Sequence, residues 1–227
     1  MNPRPENPLI VALDVSDVEA AEAMAGRLNG EAGLLKAGLE LFAAHGPEAV
    51  TRLRAFAPVF LDVKLHDIPN TVEGAARICA RLGVAMMTVH ALGGEAMVAA
   101  AVRGATQGAD QAGHPAPMIL AVTVLSSLAG EGLASPASLA FEAVAAGANG
   151  VVVSGEDVAQ VREVLGTQAC LVVPGIRPAG SNGHDQVRIL TPEEAIERGA
   201  DYLVVGRPIT GSSDPAGVAR AIRATVR

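Results

Sequence analysis

The densest group of residues capable of chemistry lies in segment 61–71, which reads Leu-Asp-Val-Lys-Leu-His-Asp-Ile-Pro-Asn-Thr. Asp62 and Lys64 are two residues apart at the end of an apolar run, so on a β-strand both side chains point to one face. Asp67 follows in the loop, and Lys36 ends another apolar run. Carboxylates beside an ammonium favour its charged form. The alternating set Lys36, Asp62, Lys64, Asp67 therefore predicts a proton donor or an electrostatic clamp rather than an amine nucleophile.

A second candidate site would bind an anion. In segment 201–208 an apolar run ends in Gly206, where a ligand could approach the main chain closely. Arg207 then supplies a planar fork for a phosphate at the start of a short helical turn. A long loop rich in Pro and Gly carries Arg177 and Gln186, which could reach a ligand phosphate as the loop closes like a lid.

If the charged cluster stood alone, solvated ion pairs would be the preferred interpretation, and the long loop alone could be an ordinary surface loop. Three observations favour a functional site. The charged cluster follows an apolar strand, a second lysine ends another strand, and a separate anion site appears downstream.

Short apolar runs alternate with amphipathic stretches along the chain. Most runs are rich in Val, Leu and Ile rather than alternating, which is typical of strands covered on both faces. The predicted strands span residues 9–15, 34–37, 59–63, 86–90, 118–123, 150–153, 171–173 and 202–205. The predicted helices span residues 17–28, 69–82, 94–106, 136–146, 156–165, 192–198 and 214–226.

Eight strands with intervening helices in 227 residues predict an α/β protein, a (β/α)8 TIM barrel forming a single domain over residues 1–227. A doubly wound open parallel sheet is the alternative, because periodicity alone does not show closure. Asp14, Lys36, Asp62 and Gly206 all fall at or just beyond the carboxyl ends of strands. Barrel active sites are built at that rim, which favours the barrel.

The composition excludes several classes of protein. With 50% hydrophobic and 18% charged residues the chain is not disordered, and its net charge of −7 and 2% aromatic content argue against nucleic-acid binding. No segment is typical of a signal peptide or a membrane span, and Cys79 and Cys170 are interpreted as reduced core residues, so a cytoplasmic location is expected. No metal-ligand cluster, Walker loop or dinucleotide fingerprint is present, so neither a metal nor a cofactor is expected.

The chain resembles the orotidine 5′-phosphate decarboxylase family in four segments: 61–71, 122–127, 174–178 and 205–208. The resemblance runs from Pro8 to the carboxyl terminus, and the loop carrying Arg177 is similar to that of bacterial members. It implies a (β/α)8 barrel that acts as a homodimer without a cofactor. The implied reaction converts orotidine 5′-phosphate to UMP and carbon dioxide in de novo pyrimidine biosynthesis.

The resemblance also implies roles for individual residues. Lys64 would protonate pyrimidine C6, while Asp62 and the partner subunit's Asp67 would hold Lys64 and face the substrate carboxylate. Lys36 would complete the charged set. The implied substrate contacts are Asp14, Lys36 and the partner's Thr71 at the ribose, Asp62 near the carboxylate, Ser126 at the pyrimidine, and Arg177, Gln186, Gly206 and Arg207 at the phosphate and lid. Bacterial members commonly carry Thr where this chain has Ser126, and the hydroxyl is retained.

Three alternatives remain open. A metal-dependent decarboxylase resembling 3-keto-gulonate 6-phosphate decarboxylase would share the Asp-x-Lys-x-x-Asp segment, but it would need an acidic metal ligand where this chain has Lys36. A relative of ribulose-phosphate 3-epimerase would need metal-binding histidines on several strands. A barrel that only binds a phosphorylated metabolite is the third alternative, and filled motif positions argue against it.

Overall fold

The apolar runs form parallel strands that close into a barrel. A computed structural model describes residues 5–124, 135–178 and 190–226. The strands are β1 (Leu9–Leu13), β2 (Leu34–Gly38), β3 (Val59–Leu65), β4 (Met86–His90), β5 (Met118–Val122), β6 (Gly150–Val152), β7 (Cys170–Val173) and β8 (Tyr202–Val205). They pair in sequence order, and β1 pairs with β8 through Leu9 opposite Leu203. The predicted (β/α)8 barrel is thus confirmed, and the open-sheet alternative is wrong.

Helices cover the outside of this barrel in the described part of the chain. They are α1 (Val18–Leu28), α2 (Leu39–His45), α3 (Pro47–Leu53), α4 (Pro69–Arg81), α5 (Gly94–Ala112), α6 (Pro136–Ala145), α7 (Val158–Leu165), α8 (Pro192–Glu197), α9 (Arg207–Thr210) and α10 (Pro215–Thr225). The sequence pattern predicts no helix for α2 and α3. Gly46, at φ +55°, separates these two helices, and Pro47 is the first residue of α3. None of the described helices is long and apolar enough to cross a membrane.

Side chains alternate strictly between the inside and the outside of the barrel. Odd-numbered strand residues such as Val11, Leu35 and Leu61 pack against the helices in the larger core. A second, smaller core fills the barrel and contains Ile10, Ala12, Leu34, Phe60, Met86, Leu120, Cys170, Val172 and Val204. These are the inward positions of successive strands. The next even-numbered residue toward the carboxyl end of each strand therefore faces the mouth of the barrel.

Helices α4 and α5 pack unusually closely. A Cβ atom on Gly104 would collide with the main-chain oxygen of Glu73, and one on Gly108 with that of Arg77. Both glycines lie on one face of α5, four residues apart, so their missing side chains let the two backbones approach. This contact fixes α4, whose first turn carries Thr71.

We predict that Gly108→Ala lowers the free energy of unfolding by about 1–3 kcal/mol, because the added methyl group forces α4 and α5 apart. Gly74→Ala is the matched control, since the nearest atom to its new Cβ would be a guanidinium nitrogen of Arg77 at 4.0 Å. That control should gain up to about 1 kcal/mol from helix propensity. Chemical denaturation measures both values. Equal stability of the two variants would show that the helices can relax without cost.

Candidate active site

Four charged side chains form an alternating row across the mouth of the barrel. The ammonium nitrogen of Lys36 lies 2.7 Å from Asp14 Oδ1 and 3.5 Å from Asp62 Oδ2. The ammonium nitrogen of Lys64 lies 2.8 Å from Asp62 Oδ1 and 2.9 Å from Asp62 Oδ2. These are the only two lysines of the chain. Asp62 therefore stands between two positive charges, at the ends of three neighbouring strands.

The middle of this row is buried and its ends are open. The side chains of Lys36 and Asp62 are 10% and 13% exposed, against 61% for Asp14 and 38% for Lys64. Burial alone would raise the pKa of Asp62. The ammonium groups of Lys36 and Lys64, with hydrogen bonds from Lys64 and Thr88, outweigh burial and hold that pKa below its usual value. Asp62 is thus ionised at neutral pH, and its carboxylate accepts hydrogen bonds from the ammonium group of Lys64.

Strand β3 is irregular where it carries this pair. Leu61 pairs with Met87 and Leu65 with Val89, so three residues of β3 oppose Thr88 alone. Lys64 has a positive φ of 50° within this bulge. Its main-chain N–H donates to Thr88 Oγ1 at 2.9 Å. The side chains at 62 and 64 share a face as predicted, but the backbone between them is not a regular strand.

Within one chain Asp67 lies apart from the row. Its Oδ1 accepts a hydrogen bond from the N–H of Ile68 at 2.6 Å, on the exposed loop between β3 and α4. No ion pair joins it to Lys64 among the described residues. Asp14 takes the fourth place in the row instead. Thr71 lies nearby on the first turn of α4 and is also exposed.

The charged row lines a cleft made of two adjoining cavities. The first, of about 110 Å³, has mainly apolar walls that include Val122, Val152 and Pro174. Lys64 and Ser154 add polar groups to it. The second cavity, of about 260 Å³, contains the anion-binding candidates. The residues common to both cavities are Lys36, Asp62, Pro174 and Val204.

The second cavity brings two arginines to one end of the cleft. Arg177 follows β7 and is buried, and Arg207 begins α9 directly after β8. Between β8 and Arg207, Gly206 lines the same cavity. A Cβ on Gly206 would meet the nearest atom, Ala12 Cβ, at an ordinary 3.6 Å. Packing within the protein thus leaves this glycine replaceable, and the space beside it is open to a ligand.

Two predicted contacts, Ser126 and Gln186, lie outside the described residues. Two polar residues at the mouth of the barrel are not among the site residues predicted from the sequence. Thr88 is fully buried on β4, and Ser154 is buried just beyond β6. Both continue the inward, even-numbered series of their strands, and that alternation is the signal that would have found them.

Comparisons with known proteins agree with this geometry. Residues 7–222 match the family described as "Orotidine 5′-phosphate decarboxylase / HUMPS family". An orotidine 5′-phosphate decarboxylase of Anaeromyxobacter sp. (strain K) is 52% identical, with 97% of this chain and 99% of that protein covered. One of Moorella thermoacetica is 47% identical, with 96% and 91% covered.

A solved structure gives the same result. The protein in the crystal structure of orotidine 5′-phosphate decarboxylase from Lactobacillus acidophilus is 38% identical in sequence to this chain, and the two folds superimpose with a TM-score of 0.86. The superposition covers 97% of this chain and 99% of that one. Sequence and fold therefore agree over nearly the whole length of each chain. The chain belongs to the orotidine 5′-phosphate decarboxylase / HUMPS family.

Proposed function

We propose that this chain decarboxylates orotidine 5′-phosphate to UMP and carbon dioxide, without a cofactor, as a step of pyrimidine biosynthesis. One observation carries the proposal. A lysine ammonium within 2.9 Å of an ionised carboxylate faces an apolar cavity, and that cavity adjoins an arginine-lined one. The pyrimidine fits the apolar end and the phosphate fits the arginine end. The relatives named above are orotidine 5′-phosphate decarboxylases by name.

Lys64 is the proton donor in this proposal. When the bond between C6 and the carboxylate carbon breaks, the electron pair stays on C6 and carbon dioxide leaves. The carbanion has no adjacent electron sink, so a fixed ammonium both stabilises its charge and quenches it by transferring a proton to C6. Asp62 holds that ammonium in place until the transfer.

The phosphate end supplies binding energy far from the reacting carbon. Arg207 and Arg177 form charge-assisted hydrogen bonds with the phosphate, while Asp14 and Lys36 contact the ribose. Interactions with a non-reacting part of a substrate can be used for closure and orientation. Ser126 and Gln186 remain predicted contacts at the pyrimidine and the lid.

A metal-dependent sugar-phosphate decarboxylase is less well supported. Such an enzyme needs carboxylates free to bind a divalent cation at the ends of the first strands. Here the ammonium of Lys36 lies between the carboxylates of Asp14 and Asp62, so the chain supplies that positive charge itself. A barrel that only binds a phosphorylated metabolite is also less well supported, because Lys64 pairs with Asp62 beside the apolar cavity, away from the arginines that would bind a phosphate.

We further propose that two copies form a homodimer whose active sites are shared across the interface. Asp67 and Thr71 are exposed, and three large apolar side chains near them are exposed as well: Leu39, Ile68 and Leu92. All five follow β2, β3 or β4, on one side of the mouth. A second copy covering this patch would bury the apolar groups and bring its Asp67 toward Lys64.

A cytoplasmic location is also part of the proposal. Cys79 and Cys170 are buried and unpaired. Burial raises the pKa of Cys79 to about 11 and that of Cys170 to about 12, so both remain thiols at neutral pH. Unpaired thiols are typical of proteins from a reducing compartment.

Lys64→Ala should abolish turnover, with a loss of at least about 1,000-fold, because it removes both the proton and the charge that stabilises the carbanion. The assay follows the ultraviolet absorbance of orotidine 5′-phosphate in the presence of EDTA. Wild-type protein should consume the orotate chromophore under these conditions. A flat trace with folded wild-type protein would rule out the proposed activity, and activity that requires added magnesium would favour the sugar-phosphate relatives.

Arg207→Ala should lower kcat/KM for orotidine 5′-phosphate by about 10–100-fold, the value of one or two charge-assisted hydrogen bonds. Turnover of orotidine, which lacks the phosphate, should change little. Arg81→Ala serves as the control, because Arg81 is an exposed residue at the far end of α4. Equal losses with both substrates would assign Arg207 to structure rather than to phosphate binding.

Mixing Lys64→Ala with Asp67→Ala subunits should restore about one quarter of wild-type activity, since half of randomly exchanged two-fold dimers hold one intact site of two. Mixing Lys64→Ala with Asp62→Ala is the matched control. Asp62 and Lys64 pair within one chain, so no mixed dimer can contain an intact pair. Recovery in neither mixture, with subunit exchange verified by mass spectrometry, would refute the shared site.

A further inference from the structure

Thr88 occupies an unusual position beneath the charged row. It is fully buried near the carboxyl end of β4 and lines neither cavity of the cleft. Its hydroxyl nevertheless contacts two residues of the candidate active site. Thr88 Oγ1 donates to Asp62 Oδ1 at 2.9 Å and accepts from the main-chain N–H of Lys64 at 2.9 Å.

The bulge in β3 explains why Lys64 needs such a partner. Regular pairing with β4 stops at Leu61 and resumes at Leu65, so Lys64 has no partner in the ladder there. Of the described residues other than glycine, only Lys64 and Asn29 have a positive φ. Asn29 ends helix α1, where that conformation is common, whereas a lysine adopts it at a cost in free energy. The contacts around Lys64 must therefore hold it there.

The hydroxyl of Thr88 can accept a hydrogen bond from the main chain of Lys64 and donate one to Asp62 at the same time. A hydroxyl has one proton to give and lone pairs to accept, and here one bond of each kind is made. The main chain of Lys64, the hydroxyl of Thr88, the carboxylate of Asp62 and the ammonium of Lys64 thereby close a ring of hydrogen bonds. This ring fixes the ammonium group of Lys64 relative to the main chain of the same residue.

We propose that Thr88 is a positioning residue for the decarboxylation, because its single hydroxyl fixes both the carboxylate of Asp62 and the strained main chain of Lys64. The inference rests on the proposed function. Thr88 acts through its two partners and lines neither cavity, so its contribution belongs to the chemical step rather than to substrate binding. Misplacement of a reacting group by about 1 Å can cost on the order of 100-fold in rate.

Thr88→Val tests this directly, because valine has nearly the shape of threonine and carries a methyl group in place of the hydroxyl. Both hydrogen bonds of Thr88 are therefore lost. We expect kcat to fall about 10–100-fold while KM for orotidine 5′-phosphate stays within about twofold. Thr88→Ser should restore kcat to within about threefold of wild type, since both hydrogen bonds can form again. An unchanged kcat in Thr88→Val, with an active wild-type enzyme, would overturn the proposal.

Thr123→Val is the matched control for loss of a buried hydroxyl. Thr123 is also fully buried, directly follows β5, and donates to the carbonyl oxygen of Val152 at 3.2 Å. This variant should lose stability on thermal unfolding to an extent similar to Thr88→Val but keep kcat within about twofold. Equal losses of kcat in both variants would mean that general loosening of the barrel, rather than the ring of hydrogen bonds, explains the effect.

A spectroscopic measurement separates this inference from the proposed function. Since Lys36 and Lys64 are the only lysines, protein labelled with 13C at the lysine ε-carbon gives two side-chain signals, and Lys64→Ala assigns them. Thr88→Val should shift or broaden the Lys64 signal and leave the Lys36 signal in place. An unchanged Lys64 signal would overturn the inference. If wild-type protein proved inactive while the Lys64 signal moved in Thr88→Val, the proposed function would fail. The positioning of Lys64 by Thr88 would stand.

Discussion

The candidate active site depends on one carboxylate, Asp62, held ionised between two ammonium groups. Burial would otherwise raise the pKa of Asp62, and the paired ammonium groups instead hold that pKa below its usual value, so that Lys64 keeps its counter-charge beside the apolar cavity. Parallel pairing of neighbouring strands makes this arrangement possible, because Gly38 at the end of β2 pairs directly with Asp62 on β3. A side chain on Gly38 would approach Asp14 Oδ1 to 2.9 Å and Lys36 Nζ to 3.2 Å. The glycine therefore leaves room for the row to form.

Much of the site could be predicted from the sequence because strands alternate with a period of two. The barrel interior follows from positions such as Ile10, Phe60 and Met86. Asp62, two places beyond Phe60, reaches the mouth and lines both cavities. The bulge at Lys64 could not be predicted, since its cause is a register shift against a neighbouring strand. The alternation places Thr88 on the inward face of β4, but its two contacts with β3 depend on that register shift and could not be predicted.

The elements of the fold likewise differ in how far local sequence patterns predict them. Strands covered on both faces gave clear apolar runs, and all eight were found with ends differing by at most two residues. Helices α2 and α3 have seven residues each, too few for a recurring apolar face, and Gly46 and Pro47 interrupt the stretch. Whether Asp67 meets Lys64 depends on the proposed second subunit and not on local sequence. One chain holds Asp67 on an exposed loop, where the N–H of Ile68 engages it.

The charged row is better explained by chemistry than by stability. Burying Lys36 and Asp62 carries a desolvation cost that their attraction roughly offsets, and apolar residues of similar volume often stabilise a fold equally well. The aliphatic cores inside and outside the barrel already supply the packing. A strained lysine, a hydroxyl engaged in two bonds and a carboxylate between two cations together form an arrangement that folding alone does not require. What this arrangement achieves is a Lys64 ammonium fixed against Asp62 at the wall of the apolar cavity, while Lys36 and Asp62 line both cavities of the cleft.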